Sequence, residues 1–470
     1  MKIQPEEKPL RLLLAALLLA VFPLANWLAG ETRPQNPAGR TAAAGVPGQY
    51  NGPGSCSSTS CHGSLTPVDG SRILQNEFST WVAKDKHSKA YRVLTEDLGV
   101  QMARILHLEK GAENSPKCLA CHALYVADEK KRARTFGQSE QEGVSCESCH
   151  GPAAGWLGEH TARDWPHDRS VAAGMYDTRD LIKRAEKCLS CHVGSQEKFV
   201  DHEMIAAGHP DLLFELDTFS TVMPRHWKEP REKAPGVPER KDPLYGVRDL
   251  AVGQAVQLQS ALRRLADRAR DKAKLWPEYS ELQCSACHHS LTNPENSWRQ
   301  KRGYPGRRPG DPPWNAARYA VFRILVREAD PQAEERLTTD LKRLSELMSR
   351  VNSDRDAVVA AAGNCAGLAE NLTPRMVTWS YDRPRTLRLL QQISADADFI
   401  AAQGEGAAAQ ATMALQSLFT AYNNTPDNKP GNAQELREAI RGLFPLVENP
   451  SAYDERQFAV QMRKVNSLLR

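Results

Sequence analysis

The sequence has few aromatic residues, little net charge and weak strand patterns. Aromatic side chains make up 7% of the 470 residues, and 61 basic residues nearly balance 57 acidic ones, for a net charge of +4. Such an even balance of basic and acidic residues gives no electrostatic basis for a nucleic-acid partner. The cysteine count is odd, at 11, which excludes a fully paired disulfide framework. Hydrophobic residues at 41% and charged residues at 25% remain typical of a folded chain.

Long apolar segments are also scarce, and the one that could reach across a membrane occupies residues 12–29. Basic residues precede it, which is the charge order of a secretory signal or an uncleaved signal anchor. Its length approaches the roughly 20 residues needed to span a bilayer. Trp27 and Leu28 stand where signal cleavage favours small residues. We therefore expect residues 1–30 to anchor an exported chain on the periplasmic side of the inner membrane, with a cleaved signal peptide as the alternative.

The rest of the chain changes in texture twice. Residues 31–54 are rich in Pro, Gly and Ala and are expected to form a linker. Residues 55–313 hold every histidine and ten of the 11 cysteines in a loop-rich sequence, interrupted by helical spacing at 248–275. Residues 314–470 carry one-sided apolar spacing, which predicts a C-terminal helical bundle. The predicted fold class is mainly α with extensive irregular loops.

Ten cysteines fall into five motifs, four of the form C-x-x-C-H and one longer variant. We number them in chain order: Cys56, Cys61 and His62 (motif 1); Cys118, Cys121 and His122 (motif 2); Cys146, Cys149 and His150 (motif 3); Cys188, Cys191 and His192 (motif 4); Cys284, Cys287 and His288 (motif 5). Cysteines three apart on a helical turn face the same way. Both thiols can then bond the two vinyl groups of one porphyrin, while the adjacent histidine supplies the proximal iron ligand. The motifs therefore predict five covalently attached c-type haems.

Two other uses of these cysteines are possible. Zinc ribbons also use C-x-x-C pairs, but they need no histidine directly after the second cysteine. Disulfides are possible in an exported chain, but they do not explain five histidines in register. Cys365 lies outside the motifs, and we expect it to be a small buried thiol, with an exposed reactive thiol as the alternative.

Eight further histidines could supply ligands on the far sides of the haems. They are His87, His107, His160, His167, His202, His209, His226 and His289. All of them lie within the cysteine-rich region, and none lies in the last 180 residues. His289 directly follows the motif 5 histidine and cannot reach the opposite face of the same haem, although it could reach a neighbouring one.

Distinctive segments surround the motifs. Trp81-x5-His87-Ser-Lys-Ala precedes motif 2, and motif 3 lies in Gly-Val-Ser-Cys-Glu-Ser-Cys-His-Gly-Pro, with His160 ten residues beyond its histidine. These segments resemble the cytochrome c-554 family of multihaem cytochromes. His202-Glu-Met-Ile-Ala-Ala-Gly-His209-Pro and Pro-Arg-His226-Trp look like segments of larger pentahaem relatives. The resemblance covers about residues 55–315, and it implies closely stacked haems in an exported electron-transfer protein.

The resemblance also implies which histidines ligate iron opposite the proximal ones. The expected distal ligands are His87, His160, His202, His209 and His226, with His289 as the alternative to His202. His87 is expected opposite motif 3 and His160 opposite motif 1. The haem of motif 2 corresponds to a five-coordinate one in the family, and His209 and His226 are assigned to motifs 4 and 5. The two remaining histidines match nothing in the family pattern.

Together these patterns predict an exported multihaem c-type cytochrome that transfers electrons through mostly bis-histidine haems and is not itself a catalyst. Its partners are expected to be redox proteins, for which the C-terminal bundle could provide a docking surface. The alternative is an oxidoreductase that acts on a small nitrogen compound at one five-coordinate haem. The sequence lacks C-x-x-C-K, the lysine-ligated signature of pentahaem nitrite reductases, which argues against that alternative.

Overall fold

The structure is a computed structural model that describes residues 46–71, 73–195, 198–227, 244–284, 287–288, 311–350, 352–425 and 431–470. The expected anchor, most of the expected linker and His289 lie outside these residues. The chain divides into two units, Met1–Ala43 and Ala44–Arg470, and the described residues all belong to the second. Among the helices of the described ranges, none is both long and apolar enough to cross a membrane.

The first half of the described chain contains short helices joined by loops. They are Glu77–Lys84 (α1), Asp97–Ile105 (α2), Pro116–His122 (α3), Cys146–His150 (α4), His167–Ala172 (α5), Leu181–His192 (α6), His202–Ala206 (α7) and Leu216–Val222 (α8). Single 3-10 turns lie between several of them. Extended pairing in the described residues is limited to isolated bridges, such as that between Tyr50 and Arg132.

From residue 244 onward, the described chain contains its longest helices together with several short ones. They are Tyr245–Arg270 (α9), Ala317–Ala320 (α10), Phe322–Ala329 (α11), Pro331–Met348 (α12), Arg355–Thr378 (α13), Arg383–Ala395 (α14), Ala397–Ala402 (α15), Glu405–Asn423 (α16), Ala433–Arg441 (α17), Phe444–Val447 (α18) and Glu455–Ser467 (α19). The prediction of a mainly α fold with many loops and a helical C-terminal region is confirmed.

Helix α12 shows how local sequence sets these elements. Asp330 caps its N-terminus by accepting the Ala333 N–H at 3.0 Å, and Pro331 occupies the first turn, where no N–H is needed. The apolar side chains expected on one face are buried, among them Leu337 and Leu344. Burying a leucine side chain contributes roughly 1.5–3 kcal/mol, so this stripe holds the helix against its neighbours.

One hydrophobic core crosses the expected domain boundary at residues 313 and 314. It extends from Leu181 in α6 to Leu469, beyond α19. The Asn315 N–H donates to the Glu281 carbonyl at 2.9 Å, which ties the two sides of the boundary together. Residues from both 55–313 and 314–470 therefore contribute to one core. The physical reason is α9, which is buried around most of its circumference and so needs helices from both sides to cover it.

Candidate haem-binding sites

The paired cysteines of motifs 2, 3 and 4 lie on single helical turns, which suits haem attachment. Helices α3, α4 and α6 each end at the histidine of their motif, and in motif 5 the His288 N–H donates to the Cys284 carbonyl at 2.8 Å. Gly151 ends α4 with φ +76°, a left-handed conformation that glycine adopts without strain. All eleven cysteines are free thiols in the structure.

Each histidine of motifs 1, 2, 4 and 5 faces a second imidazole. The ring centroids are separated by 6.2 Å for His62–His160, 6.2 Å for His122–His209, 6.2 Å for His192–His87 and 6.5 Å for His288–His202. The described residues contain no group of three or more His, Cys, Asp or Glu side chains that could hold a metal ion by itself. The histidines of these four motifs are arranged instead as facing pairs of imidazoles.

The spacing of the pairs fits an iron atom between them. Metal–imidazole bonds are about 2 Å long and each nitrogen lies about 1 Å from its own ring centroid, so two rings on one iron have centroids about 6 Å apart. Direct stacking of two rings does not need so wide a gap. The donor set of two imidazoles with two thiols beside them suits haem c, which bonds both.

The Nδ1 atom is hydrogen-bonded to a backbone carbonyl in three of these eight histidines and also in His226. Each Nδ1–H donates to one carbonyl oxygen: His122 to Ala90 (2.9 Å), His160 to Leu157 (2.6 Å), His209 to Pro210 (2.7 Å) and His226 to Pro224 (3.2 Å). Because a carbonyl can only accept, the proton is fixed on Nδ1. That leaves the Nε2 lone pair available to a metal.

Two histidines donate to carboxylates instead. His62 Nδ1 lies 2.9 Å from Glu77 Oε2, and His87 Nδ1 lies 3.0 Å from Asp85 Oδ1. The hydrogen bonds to Glu77 and Asp85 raise the pKa values of the two histidines. Burial opposes ionisation of the two acids, but the hydrogen bonds that they accept lower the pKa of each, so both are ionised at neutral pH.

The pairing differs in part from the one that the resemblance implies. His160 faces motif 1 as expected, but His87 faces motif 4 and not motif 3. The reason is local, because the His87 carbonyl accepts the Val144 N–H at 3.0 Å, which fixes this segment against the residues before motif 3 while its ring reaches His192. The resemblance relates the haem of motif 2 to a five-coordinate one in the family, and in the structure His209 faces this motif.

The remaining assignments also shift. His202 faces motif 5, where His226 had been a candidate, and His226 lies near motif 3. Burial, followed by the charge of His226, lowers the pKa of His150 to about 4. Within the described residues, no imidazole faces His150 at the spacing of the other four pairs. His167 is a poor substitute because its Nε2 lies 2.9 Å from Asp177.

Thiols of different motifs lie side by side. Cys56 of motif 1 is hydrogen-bonded to Cys146 of motif 3, which lowers the pKa of Cys56. Cys121 of motif 2 is hydrogen-bonded to Cys191 of motif 4, which lowers the pKa of Cys191 well below its usual range. Motifs 1 and 3 are therefore neighbours, and so are motifs 2 and 4.

Two further contacts connect these pairs of motifs. After burial, the largest influence on the pKa of Cys149 in motif 3 is the charge of Cys188 in motif 4. Lys117, at the start of motif 2, forms a 2.7 Å ion pair with Asp201, which caps the helix that begins at His202. The motifs thus follow one another in space as 1, 3, 4, 2 and 5, which is not their order in the sequence.

Glu147, inside motif 3, has a structural role that the motif pattern did not indicate. Its carboxylate is buried and accepts N–H groups from Asn51 at 3.0 Å, from Gly52 at 2.7 Å and from Ala153 at 2.7 Å. These bonds hold the loop before motif 1 against motif 3. Nothing in the sequence distinguishes this glutamate from an exposed one, because the variable positions of C-x-x-C-H are usually unconstrained.

The surroundings of motif 4 also include residues that the sequence did not single out. Phe214 and Phe219 pack on the His192 ring with centroid distances of 4.8 and 5.5 Å. Lys198 donates to Cys191 Sγ at 3.2 Å. The two phenylalanines exclude water from the histidine, and the lysine places a positive charge where motifs 2 and 4 meet.

The sites and the fold define a class: a mainly α protein in which pairs of thiols and facing imidazoles are arranged to bind haem c. A comparison with protein families then identifies the region of motifs 1 to 3, because the family described as cytochrome c554 and c-prime matches residues 56–151. The resemblance to a cytochrome c-554-like family is thus confirmed. It supports covalent haem c and a part in electron transfer. The searches of curated proteins and of solved structures found no match to this chain.

Proposed function

We propose that this chain is an exported electron-transfer cytochrome that holds five c-type haems, one on each motif. Four facing imidazole pairs, with centroids 6.2–6.5 Å apart, are the observation that carries this proposal. Redox proteins would deliver and remove the electrons. Residues 12–29 would anchor the chain to the inner membrane, with the described residues on the periplasmic side.

The residues around each site support electron transfer more than catalysis. When bound, haem c supplies a reversible one-electron couple between ferric and ferrous iron. Two imidazoles on one iron would leave no position for a substrate. Carbonyls or carboxylates hold the Nδ1 atoms of five of these ligands, so those rings need not move when the charge changes; they are His62, His87, His122, His160 and His209. Phe214 and Phe219 keep water away from His192. A site arranged in this way favours rapid electron exchange.

The contacts between motifs support a continuous path. Motifs 1 and 3 meet through their cysteines, as do motifs 4 and 2, and motifs 3 and 4 also have neighbouring cysteines. The ion pair between Lys117 and Asp201 brings motif 5 to the end next to motif 2. A path in the order 1, 3, 4, 2, 5 would have motifs 1 and 5 at its ends, where partner proteins could dock.

The second candidate function is an oxidoreductase that acts on a small nitrogen compound at one open haem. Motif 2, which the family comparison had favoured for this role, faces His209. Motif 3 is the better candidate, because His226 is near His150 but is not paired with it at the spacing of the other sites. The two functions therefore differ in whether His226 ligates the haem of motif 3.

Replacing His226 by alanine tests this point. If His226 is a ligand, electron paramagnetic resonance of the oxidised protein will show five low-spin irons in the parent and one high-spin iron in His226→Ala. His167→Ala is the matched control, since its Nε2 is bound to Asp177, and it should keep five low-spin signals. A high-spin iron already present in the parent and unchanged in His226→Ala would contradict the proposal and favour the oxidoreductase.

A further inference from the structure

The histidines of the five sites differ in the acceptor that binds their second nitrogen. At motif 2 both histidines donate to neutral backbone carbonyls, at 2.9 Å for His122 and 2.7 Å for His209. At motif 1 the proximal His62 donates to Glu77, and at motif 4 the distal His87 donates to Asp85. The sites of motifs 1 and 4 thus carry a negative charge directly behind a ligand. The site of motif 2, which lies between motifs 4 and 5 in space, does not.

Both carboxylates are held in place by more than the histidine. Glu77 Oε1 accepts the Leu74 N–H at 2.8 Å, while its other oxygen binds His62. Asp85 is 3% exposed, and its Oδ1 accepts the backbone N–H of His87 at 3.0 Å as well as the ring nitrogen. These bonds fix the distance between charge and ligand, so the effect on the ligand is permanent and does not depend on a mobile side chain.

A carboxylate behind an imidazole changes what that imidazole does for iron. A hydrogen bond to an ionised acceptor is roughly twice as strong as one to a neutral acceptor. It draws the Nδ1 proton away from the ring, which makes Nε2 a stronger electron donor and raises ligand basicity. Stronger donation and a nearby negative charge both favour ferric over ferrous iron, so the reduction potential of such a site falls.

We propose that Glu77 and Asp85 set unequal reduction potentials along the path, with the sites of motifs 1 and 4 lower than the site of motif 2. This inference rests on the proposed function, and it gives the path a direction. With haem c held by His192 and His87 at motif 4 and by His122 and His209 at motif 2, one electron would pass from motif 4, which would be oxidised, to motif 2, which would be reduced. No proton moves, because each Nδ1–H keeps the same acceptor.

The position of motif 4 lets this difference in reduction potential direct electrons along the path. It lies between motifs 3 and 2 in space, and the thiols of motifs 4 and 2 are in contact. Lys198 adds a positive charge beside that contact. An electron that arrives from the side of motif 1 would therefore be drawn toward motif 2 and the end of the path at motif 5.

The test is a potentiometric titration of the full-length protein with its haems, followed by electron paramagnetic resonance. In Glu77→Gln and in Asp85→Asn the acceptor stays but the charge is lost. Each variant should raise one midpoint potential by about 59 mV, which is a tenfold change in the oxidised-to-reduced ratio for one electron. The other midpoint potentials should not change. Glu96→Gln removes an exposed carboxylate that pairs with Arg92, and it should move no midpoint.

Charge-keeping variants guard against a purely structural effect. Glu77→Asp and Asp85→Glu should return the shifted midpoints toward the parent values. Unchanged midpoints in both neutral variants, with five low-spin signals retained, would overturn this inference and leave the proposed function intact. A parent protein without low-spin pairs would instead overturn the proposed function, so the two failures are distinguishable.

Discussion

The described chain before Leu181 (the first half) and the chain from Leu181 onward (the second half) are stabilised in different ways. From Leu181 onward, a single hydrophobic core connects helices α6 to α19. In the described residues before Leu181, buried apolar side chains cluster only in a group of six, around Leu119, and a group of three, around Phe136. A few others, such as Trp81 and Trp156, are buried outside both groups. Clusters so small cannot offset the entropy of ordering more than a hundred residues at roughly 1–2 kcal/mol each. The first half therefore needs another source of buried apolar surface.

The haems are that source in our account. Motifs 1, 2 and 3 all lie in the half that lacks a core, and each covalent attachment would tie two loop positions to a large apolar ring. Polar contacts such as the buried carboxylate of Glu147 then fasten the loops to one another. In this half the bound haems would take the place of a hydrophobic core. In the second half the cofactor sites pack against a core made of protein side chains.

The largest expected effect is the loss of order when a haem of the first half is removed. Replacing Cys146 and Cys149 by serine should abolish haem attachment at motif 3. Amide hydrogen exchange, followed by mass spectrometry, should then show lost protection over residues 46–180 and retained protection in α9 and α13. The reason is that only the second half has a core independent of haem.

Cys365→Ala is the control for that experiment. Cys365 is buried in α13, outside every motif, so its loss should leave haem attachment and the protection of residues 46–180 unchanged. Full protection of residues 46–180 in the double serine variant would break the comparison, because the first half would then be shown to fold without the haem of motif 3.

A smaller effect concerns the pH dependence of the second half. Glu215 caps α8 and is buried in the shared core, where burial and then the charge of Asp217 raise its pKa to about 7. Because this pKa is above the value of about 4.5 for an exposed glutamate, folding favours the protonated acid. Stability from this group is full below pH 4.5 and is lost as the pH rises through 7. One pKa unit corresponds to about 1.4 kcal/mol.

Urea unfolding followed by circular dichroism at pH 5 and pH 8 checks this prediction. The free energy of unfolding of the helical half should fall by a few kcal/mol between the two values. Glu215→Gln should remove only part of the fall, because burial and then the charge of Asp211 also raise the pKa of Glu405 to about 7. Glu203→Gln, at an exposed site in α7, is the control and should behave as the parent. A fall of the same size in Glu215→Gln would show that this carboxyl does not set the pH dependence.

Local patterns were sufficient to predict several of the longer helices and to find the paired-cysteine motifs, but not helices α1 to α8. The apolar spacing at 248–275 matches α9, and the stripe that includes Leu337 is buried in α12. Thiols three residues apart lie on one helical turn because that relation is set within four residues. These features depend on neighbours in the sequence, which is why no tertiary information was needed to find them.

Pairing and domain boundaries depend on contacts between distant residues, and the sequence did not contain enough information to predict them. His87 was expected opposite motif 3 but lies opposite motif 4, a choice set by the Val144–His87 hydrogen bond. The expected boundary at residues 313 and 314 is crossed by the hydrogen bond from the Asn315 N–H to the Glu281 carbonyl. In both places a tertiary hydrogen bond decided the outcome.

The most direct test of the central claim is the number of haems bonded to one chain. Intact-mass spectrometry of the exported protein, with the pyridine haemochrome spectrum as a second count, would give this number. The account predicts five covalent haems and no free thiol except Cys365. Four or fewer haems, with motif cysteines left free or joined in disulfides, would contradict it.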